Sequence, residues 1–205
     1  MNGEGEEIIS ANIWQEVSLR IEDVLEQFPH TLILVHNSAE FDELLFFIKK
    51  ILWTKQIVYL SMTKTYFSIK QSLQKSKRKI VIIDCVSIGV FGEKRASPMG
   101  ISDNHITERT PATFGELLAL IYKIKNSSNP DYIIIDSLSL FLDFAVASRK
   151  MEEFISFINE LNKFSMKFIF LYDSGVPRTT INLPVFEVDM VLKLEILRDK
   201  MKWLD

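Results

Sequence analysis

The sequence predicts a three-layer α/β fold, in which a mostly parallel, twisted sheet lies between two layers of helices. Short runs of four or five apolar residues recur along the chain, which is the pattern of strands covered on both faces. Segments with the 3.6-residue period of amphipathic helices separate these runs. The 205 residues, 47% of them hydrophobic and 25% charged, suit one globular domain.

The predicted strands and helices alternate in a regular order. An amphipathic helix over residues 12–28 precedes the first strand. Capping side chains introduce two later helices, with Asn37 and Glu40 before one and Thr113 and Glu116 before the other. Strands that alternate with helices predict right-handed βαβ units and therefore a parallel sheet. The predicted strands are 31–35, 57–60, 80–83, 132–135 and 168–171, and the predicted helices between them are 41–52, 65–75, 114–125 and 149–163.

The C-terminal part of the chain carries a different pattern. From Phe186 to Ile196, apolar side chains alternate with charged ones, which predicts a terminal edge strand that could run antiparallel. The stretch from Val86 to Pro111 has no clear period and is expected to be irregular. We therefore divide the chain into an N-terminal helix packed on the domain (1–29), an α/β domain (30–198) and a C-terminal tail (199–205).

Composition and charge exclude several classes of protein. The net charge of −3 provides no basic field for sequence-independent binding to nucleic acid, which is therefore not an expected partner. No apolar run reaches the roughly 18 residues of a membrane helix, and the acidic first residues do not fit a signal peptide. The single cysteine, Cys85, cannot form an internal disulfide. These features predict a cytoplasmic protein without a membrane partner.

The three histidines share no metal-ligand spacing with Cys85 or one another, so no metal site is expected.

Polar side chains follow two of the apolar strands. The chain reads Ile80-Val-Ile-Ile-Asp84-Cys85-Val86-Ser87 at one strand and Tyr132-Ile-Ile-Ile-Asp136-Ser137-Leu138-Ser139 at another. Ligands of open parallel sheets bind beyond the carboxyl ends of the strands, so Asp84 and Asp136 are candidate site residues. An aspartate at such a position also commonly caps the following turn or helix, and this structural role is the simpler interpretation of both residues.

These two motifs, together with the apolar strand at Thr31-Leu-Ile-Leu-Val35, resemble the RecA/KaiC-like branch of the P-loop ATPases, especially its archaeal-type, KaiC-related domains. The resemblance covers residues 30–195 by the order and spacing of the elements. It implies a RecA-like fold. By position it also implies that Asp136 is the Walker B aspartate, which in the family holds a magnesium ion through water.

The first strand-to-helix turn departs from the family's pattern. An ungapped alignment places residues 35–42 where the family has the Walker A motif, Gly-x-x-x-x-Gly-Lys-Ser/Thr. Val35 and Glu40 then replace the two glycines. Phe41 replaces the phosphate-binding lysine, and Asp42 replaces the hydroxyl residue that binds magnesium. The Walker A motif is therefore degenerate.

Each departure weakens phosphate binding or hydrolysis. No glycine lies between Gly5 and Gly89, so the backbone of the first turn cannot easily curl its N–H groups around a phosphate. The carboxylates of Glu40 and Asp42 would face an anionic triphosphate with no lysine to offset their charge. Each carboxylate would repel the triphosphate by roughly 4 kcal/mol at an effective dielectric of about 20. Ser61 and Met62 stand where KaiC-type members carry catalytic glutamates, and neither side chain polarises water at neutral pH.

The resemblance and these departures together predict a pseudo-ATPase, a non-catalytic domain that acts as a structural or regulatory protein-interaction module and needs no cofactor. One alternative is a nucleotide-binding ATPase that holds ATP and magnesium at an unorthodox first turn. It would use Asp136, Asp84 and Ser137, with Lys64 supplying the missing positive charge. A second alternative, an accessory protein of DNA recombination or repair, needs a basic loop at the crevice, and the loop from Val86 to Pro111 mixes both signs of charge.

Three residues are candidates for contacts with other subunits. Trp14 and Trp203 place large apolar groups near the two ends of the chain, where they either cover the sheet or meet another chain. Arg178 follows the fifth apolar strand, and in the family such loops reach a neighbouring subunit's nucleotide. RecA-like domains typically assemble edge to edge, so the resemblance implies a homo-oligomer or a complex with another protein.

Overall fold

A computed structural model describes residues 28–52, 54–73, 80–92, 105–147, 149–174 and 188–193. Seven strands lie in this part of the chain: β1 (Thr31–His36), β2 (Ile57–Ser61), β3 (Ile80–Asp84), β4 (His105–Thr107), β5 (Tyr132–Asp136), β6 (Lys167–Asp173) and β7 (Met190–Lys193). Six helices accompany them: α1 (Phe41–Ile51), α2 (Tyr66–Leu73), α3 (Ser87–Phe91), α4 (Phe114–Ser128), α5 (Leu138–Ala147) and α6 (Met151–Leu161). A short 3₁₀ turn, Ser38–Glu40, precedes α1.

The strands form one sheet in the order β4-β3-β2-β5-β6-β1-β7, and every pair in it is parallel. The α/β fold class predicted from the sequence is confirmed. All five predicted interior strands are found, each one to three residues longer than its apolar run. The strands extend beyond the apolar runs because the backbone of polar residues such as His36 and Asp136 continues the strand pairing.

Alternate residues of each strand face two separate hydrophobic layers. On one face, α4, α5 and α6 cover the sheet, and on the other face α1 and α2 cover it. Val58 and Leu60 of β2 point into the first layer, while Ile57 and Tyr59 point into the second. Burial on both faces explains why these strands have continuous apolar sequences.

Local capping fixes where the helices begin and end. Asn37 and Glu40 form the predicted capping box before α1, and the Thr113 hydroxyl accepts a hydrogen bond from the Glu116 N–H at the start of α4. The same helix ends at Asn129, whose φ of 41° lies in the left-handed region that a helix C-terminus favours. The turn at 129–131 therefore follows directly from α4.

Three features differ from the sequence-based expectations. The antiparallel orientation considered for the last strand is wrong, because β7 runs parallel to β1. The alternation of apolar and charged residues indicates which face of a strand is buried but not the direction of the strand. The 16 residues between β6 and β7 are enough for a crossover to a parallel strand. The stretch from Val86 to Pro111 contains α3 and β4. The apolar segment Leu138–Ala147 is a helix that its nearly uniform hydrophobicity did not indicate.

Within the described residues, no helix is long and apolar enough to cross a membrane. Residues 12–27 of the N-terminal helix predicted over 12–28 lie outside the described part of the chain, as do Trp14, Arg178, Trp203 and the tail 199–205, so these predictions remain predictions.

Candidate functional site

A row of polar side chains crosses the carboxyl edge of the sheet on the face that α1 and α2 cover. Ser61 of β2 is in register with Asp84 of β3 on one side and with Asp136 of β5 on the other. On β1 and β6, His36 is in register with Asp173. Each of these residues follows at an even spacing from strand residues of the second hydrophobic layer, so all five belong to one face.

Asp84 is the cap that the simpler interpretation predicts. Its carboxylate is fully buried and accepts hydrogen bonds from the backbone N–H groups of Tyr66 (2.6 Å), Val86 (2.9 Å) and Ser87 (2.8 Å) and from the Ser87 hydroxyl (2.6 Å). Burial raises the pKa of this carboxyl, but the hydrogen bonds from Ser87, Tyr66 and Val86 together outweigh burial and lower the pKa below its ordinary 3.8. Asp84 therefore joins the start of α2 to the start of α3.

Asp136 has different partners. Its Oδ2 accepts a hydrogen bond from the Tyr59 hydroxyl at 2.8 Å and lies 3.5 Å from the Lys64 ammonium. Only 1% of the Asp136 side chain is exposed, against 33% of the Lys64 side chain. Burial raises the pKa of Tyr59 well above its usual value, and the charge of Asp136 and its hydrogen bond raise it further. Tyr59 thus remains a neutral donor to Asp136. The described cap of α5 is the next residue, because the Ser137 hydroxyl accepts from the Leu140 N–H at 3.4 Å.

Lys64 connects the end of β5 with the first turn. Its ammonium lies 3.7 Å from the centre of the Phe41 ring, at the position that the alignment gives to the Walker A lysine. A cation over an aromatic face is attracted by the ring quadrupole. The structure therefore brings Lys64, Phe41 and Asp136 together, and a lysine from the turn after β2 places a positive charge beside the phenylalanine of the first turn.

The backbone of the first turn is engaged by its own side chains. The Asn37 N–H donates to the Glu40 carboxylate at 3.2 Å, and the Ala39 N–H donates to the Asn37 side chain at 3.1 Å. The Glu40 N–H donates to the Asn37 carbonyl at 2.9 Å. Three N–H groups that could face an anion are therefore already bound.

The neighbouring ends of β1 and β6 are also joined. The Ser38 hydroxyl donates to the Asp173 carboxylate, and the Ser174 N–H donates to the His36 carbonyl at 2.8 Å. The Asp173 N–H donates to the Ser139 hydroxyl at 3.1 Å, which links this corner to α5. The carboxylates of Glu40 and Asp173 are thus part of the first turn's own hydrogen-bond network.

The remaining predicted residues have structural surroundings. Val35 is half-buried against the layer of α4, α5 and α6, and Asp42 is exposed in the first turn of α1. The Cys85 thiol is buried, and burial, followed by the charges of Glu108 and Asp84, raises its pKa to about 12. A thiol with that pKa is not a nucleophile at neutral pH.

The contacts of Asp136 compete with a magnesium ion at this residue. One of its two carboxylate oxygens, Oδ2, is engaged by Tyr59 and Lys64. Among the described residues, no group of three or more histidine, cysteine, aspartate or glutamate side chains has the arrangement of a metal site. A cation at Oδ2 of Asp136 would have to displace the Lys64 ammonium.

Tyr59 and Ser38 belong to the site although the sequence patterns did not indicate them. Tyr59 lies inside an apolar run, and its hydroxyl is the one polar group in the four residues Ile57–Leu60. That group was the available signal, since a buried tyrosine hydroxyl usually has a partner. Ser38 carries no comparable signal, because its contact with Asp173 depends on the adjacency of β1 and β6.

No protein-family model matches this sequence, and no curated protein matches it. A solved structure with a similar fold is that of a KaiC-like protein from the hyperthermophilic archaeon Pyrococcus horikoshii. The two chains are 13% identical, the match covers 81% of this chain and 72% of that chain, and the TM-score is 0.47. Function is therefore inferred from the contacts of this chain's own residues.

Proposed function

We propose that this chain is a pseudo-ATPase, a non-catalytic RecA/KaiC-like domain that acts as a structural or regulatory protein-interaction module, either as a homo-oligomer or beside an active ATPase. One observation carries the proposal: the groups that would bind a nucleotide are bound to one another. The N–H groups of the first turn are held by Asn37 and Glu40, and Asp136 is held by Tyr59 and Lys64.

Charge at the first turn supports the same conclusion. Glu40, Asp42 and Asp173 place three carboxylates around the position of the triphosphate, and two of them take part in the turn's hydrogen bonds. Like charges a few ångströms apart repel by roughly 4 kcal/mol at an effective dielectric of about 20. The Lys64 ammonium offsets this repulsion only in part, because it is already paired with Asp136.

Hydrolysis also lacks a base at the expected position. The Ser61 side chain is fully buried, and its hydroxyl donates to the Lys64 carbonyl at 2.6 Å and accepts from the Lys64 N–H at 3.2 Å. It is therefore a structural group of the turn after β2. Met62 is also buried and has no titratable group. Neither side chain is able to polarise an attacking water.

One observation favours the alternative of a nucleotide-binding ATPase. Lys64 is one-third exposed and lies over Phe41, so a rotation about its flexible stem would turn the ammonium from Asp136 towards the crevice. ATP could then use Lys64 as its countercation. This alternative requires the Lys64–Asp136 pair to open and the capping box of the first turn to rearrange. The accessory role in DNA recombination has no comparable observation among the described residues and remains a prediction, as do the cytoplasmic location and the archaeal type.

Calorimetric titration with ATP and magnesium tests the proposal. We expect no binding up to millimolar nucleotide, where an interaction worth only about −4 kcal/mol would still register. Saturable binding that is lost in Lys64→Met and in Asp136→Ala would overturn the proposal and establish the alternative. Lys163→Met is the matched control for Lys64→Met, because Lys163 is exposed and pairs with Glu160 far from the crevice.

A further inference from the structure

A groove of about 420 Å³ lies between α4 and α6, on the face of the sheet opposite to the candidate site. Its floor is apolar and includes Phe114, Leu118 and Phe157, with the two phenylalanine rings 5.7 Å apart. One helical turn beyond Leu118, the Tyr122 side chain is 44% exposed. The groove therefore presents an apolar strip along the helices.

The wall of the groove is acidic. Glu152, Glu153 and Glu160 of α6 line it, and none of the described residues that line it is cationic. Lys150 pairs with Glu153 at 3.1 Å and Lys163 pairs with Glu160, and both lysines are exposed. Exposed ion pairs contribute little stability, so an incoming cation can replace these lysines at low cost. The groove fits an apolar helix face that is flanked by positive charge.

The chain contains such a segment after β7, in residues that lie outside the described part. Leu197, Met201 and Leu204 are spaced i, i+4 and i+7, which places them on one side of a helix. Arg198 and Lys200 would flank that apolar side. The other amphipathic segment of the chain, residues 12–28, does not fit, because its charged residues are Glu16, Arg20, Glu22, Asp23 and Glu26 and carry a net negative charge.

Within one chain, the segment would reach the groove only if the connection from β7 were fully extended. The order of the sheet places β1 and β6 between β7 and β5, and α4 and α6 lead into β5 and β6. Two to three strand spacings of about 4.8 Å separate β7 from these two strands, and the helix layer stands about 10 Å above the sheet, so the groove is at least about 14 Å away. The four steps from Lys193 to Leu197 reach at most about 14 Å. A second copy has no such constraint.

We propose that the groove between α4 and α6 binds the C-terminal segment, residues 197–204, of a second copy of this chain. The inference rests on the proposed function as an interaction module and names its partner. The groove and the segment are different surfaces, so the contact is head-to-tail. Repeated head-to-tail contacts produce closed rings or open filaments.

Sedimentation of the full chain over a broad range of concentrations tests this inference. The mass of the wild-type chain rises with concentration. Met201→Asp puts a charge on the apolar side of the segment and weakens association by about thirtyfold. Glu152→Lys and Lys200→Glu each weaken it by about fivefold, and the double variant regains association because the opposite charges are exchanged.

Glu43→Lys is the matched control, since it makes the same change of charge on α1, on the other face of the sheet. Circular dichroism establishes that each variant is folded. A monomeric wild-type chain at all concentrations overturns the inference, as does an oligomer that Met201→Asp leaves intact or that Glu43→Lys weakens as much as Glu152→Lys does. The nucleotide titration is independent of these masses, so failure of this interface and failure of the pseudo-ATPase proposal give different results.

Discussion

Asp84 and Asp136 end two strands of closely similar sequence, and both lie in register with Ser61, on opposite sides of β2. Their carboxylates nevertheless have different partners. The hydrogen bonds to Asp84 come from three backbone N–H groups and one nearby hydroxyl. Those described for Asp136 come from the side chains of Tyr59 and Lys64, both more than 70 residues away in the sequence.

The turn that leaves β2 produces this difference, because it serves both aspartates. At Tyr66 the backbone N–H points to Asp84, and two residues earlier the Lys64 ammonium points to Asp136. The same strand-end aspartate is therefore a helix cap on one side of β2 and the acceptor of a tyrosine and a lysine on the other. An Asp-x-x-Ser sequence at the end of a strand does not by itself specify a metal-binding residue.

The largest effect is expected at the cap. Asp84→Ala leaves two or more buried donors without an acceptor, and we expect it to lower the free energy of unfolding by about 3 kcal/mol. Urea denaturation followed by circular dichroism measures this change. Asp42→Ala, at an exposed carboxylate in the first turn of α1, is the control and should cost less than about 1 kcal/mol. Equal losses in the two variants would contradict the role of Asp84 as a buried cap.

A smaller effect is expected at Asp136. Lys64→Met keeps the packing on Phe41 and removes the charge, so the buried carboxylate loses one of its two described partners. We expect a loss of about 1–2 kcal/mol, moderated by the one-third exposure of Lys64. The double variant Lys64→Met/Asp136→Asn should recover at least half of that loss, because the amide needs no countercharge. Additive losses in the double variant would show that the two charges do not interact.

These two residues also show how far the sequence predicts the site. The cap at Asp84 follows in part from local chemistry, because its Val86 and Ser87 donors lie within three residues and lead into α3. The Tyr66 N–H, at the start of α2, reaches Asp84 because β2 and β3 are neighbours. The partners of Asp136 depend on which strands are neighbours, and strand order is not visible in the apolar runs. The sequence indicates Lys64 only as a lysine that could supply a missing charge, and Tyr59 is concealed inside an apolar strand.

The same distinction holds for the fold. Strands buried on both faces are predictable almost to their ends, because a short, continuous apolar run between turn residues is typical of a strand covered by helices on both sides. The capping box before α1 and the Thr113 cap of α4 are predictable because a cap is encoded within four residues. The direction of β7 is not predictable, because the alternation of apolar and charged residues does not indicate direction. The helix α5 is not predictable either, because a uniformly apolar segment has no period.

The last prediction uses acid to separate the two carboxylates. The pKa of Asp84 is below its ordinary value of 3.8 in the folded chain, so its ionised form stabilises the fold above that pH and the contribution is lost as the pH falls through the folded pKa. Asp84→Asn has no proton to bind. The wild-type chain should therefore exceed this variant in stability by a constant amount at neutral pH and by a shrinking amount below about pH 4. Urea denaturation of both chains at several acidic pH values measures the difference in their free energies of unfolding. The titration of the other carboxylates is common to both chains and cancels in this difference. A difference that stays constant down to the acid transition would mean that the hydrogen bonds to Asp84 do not favour its charged form.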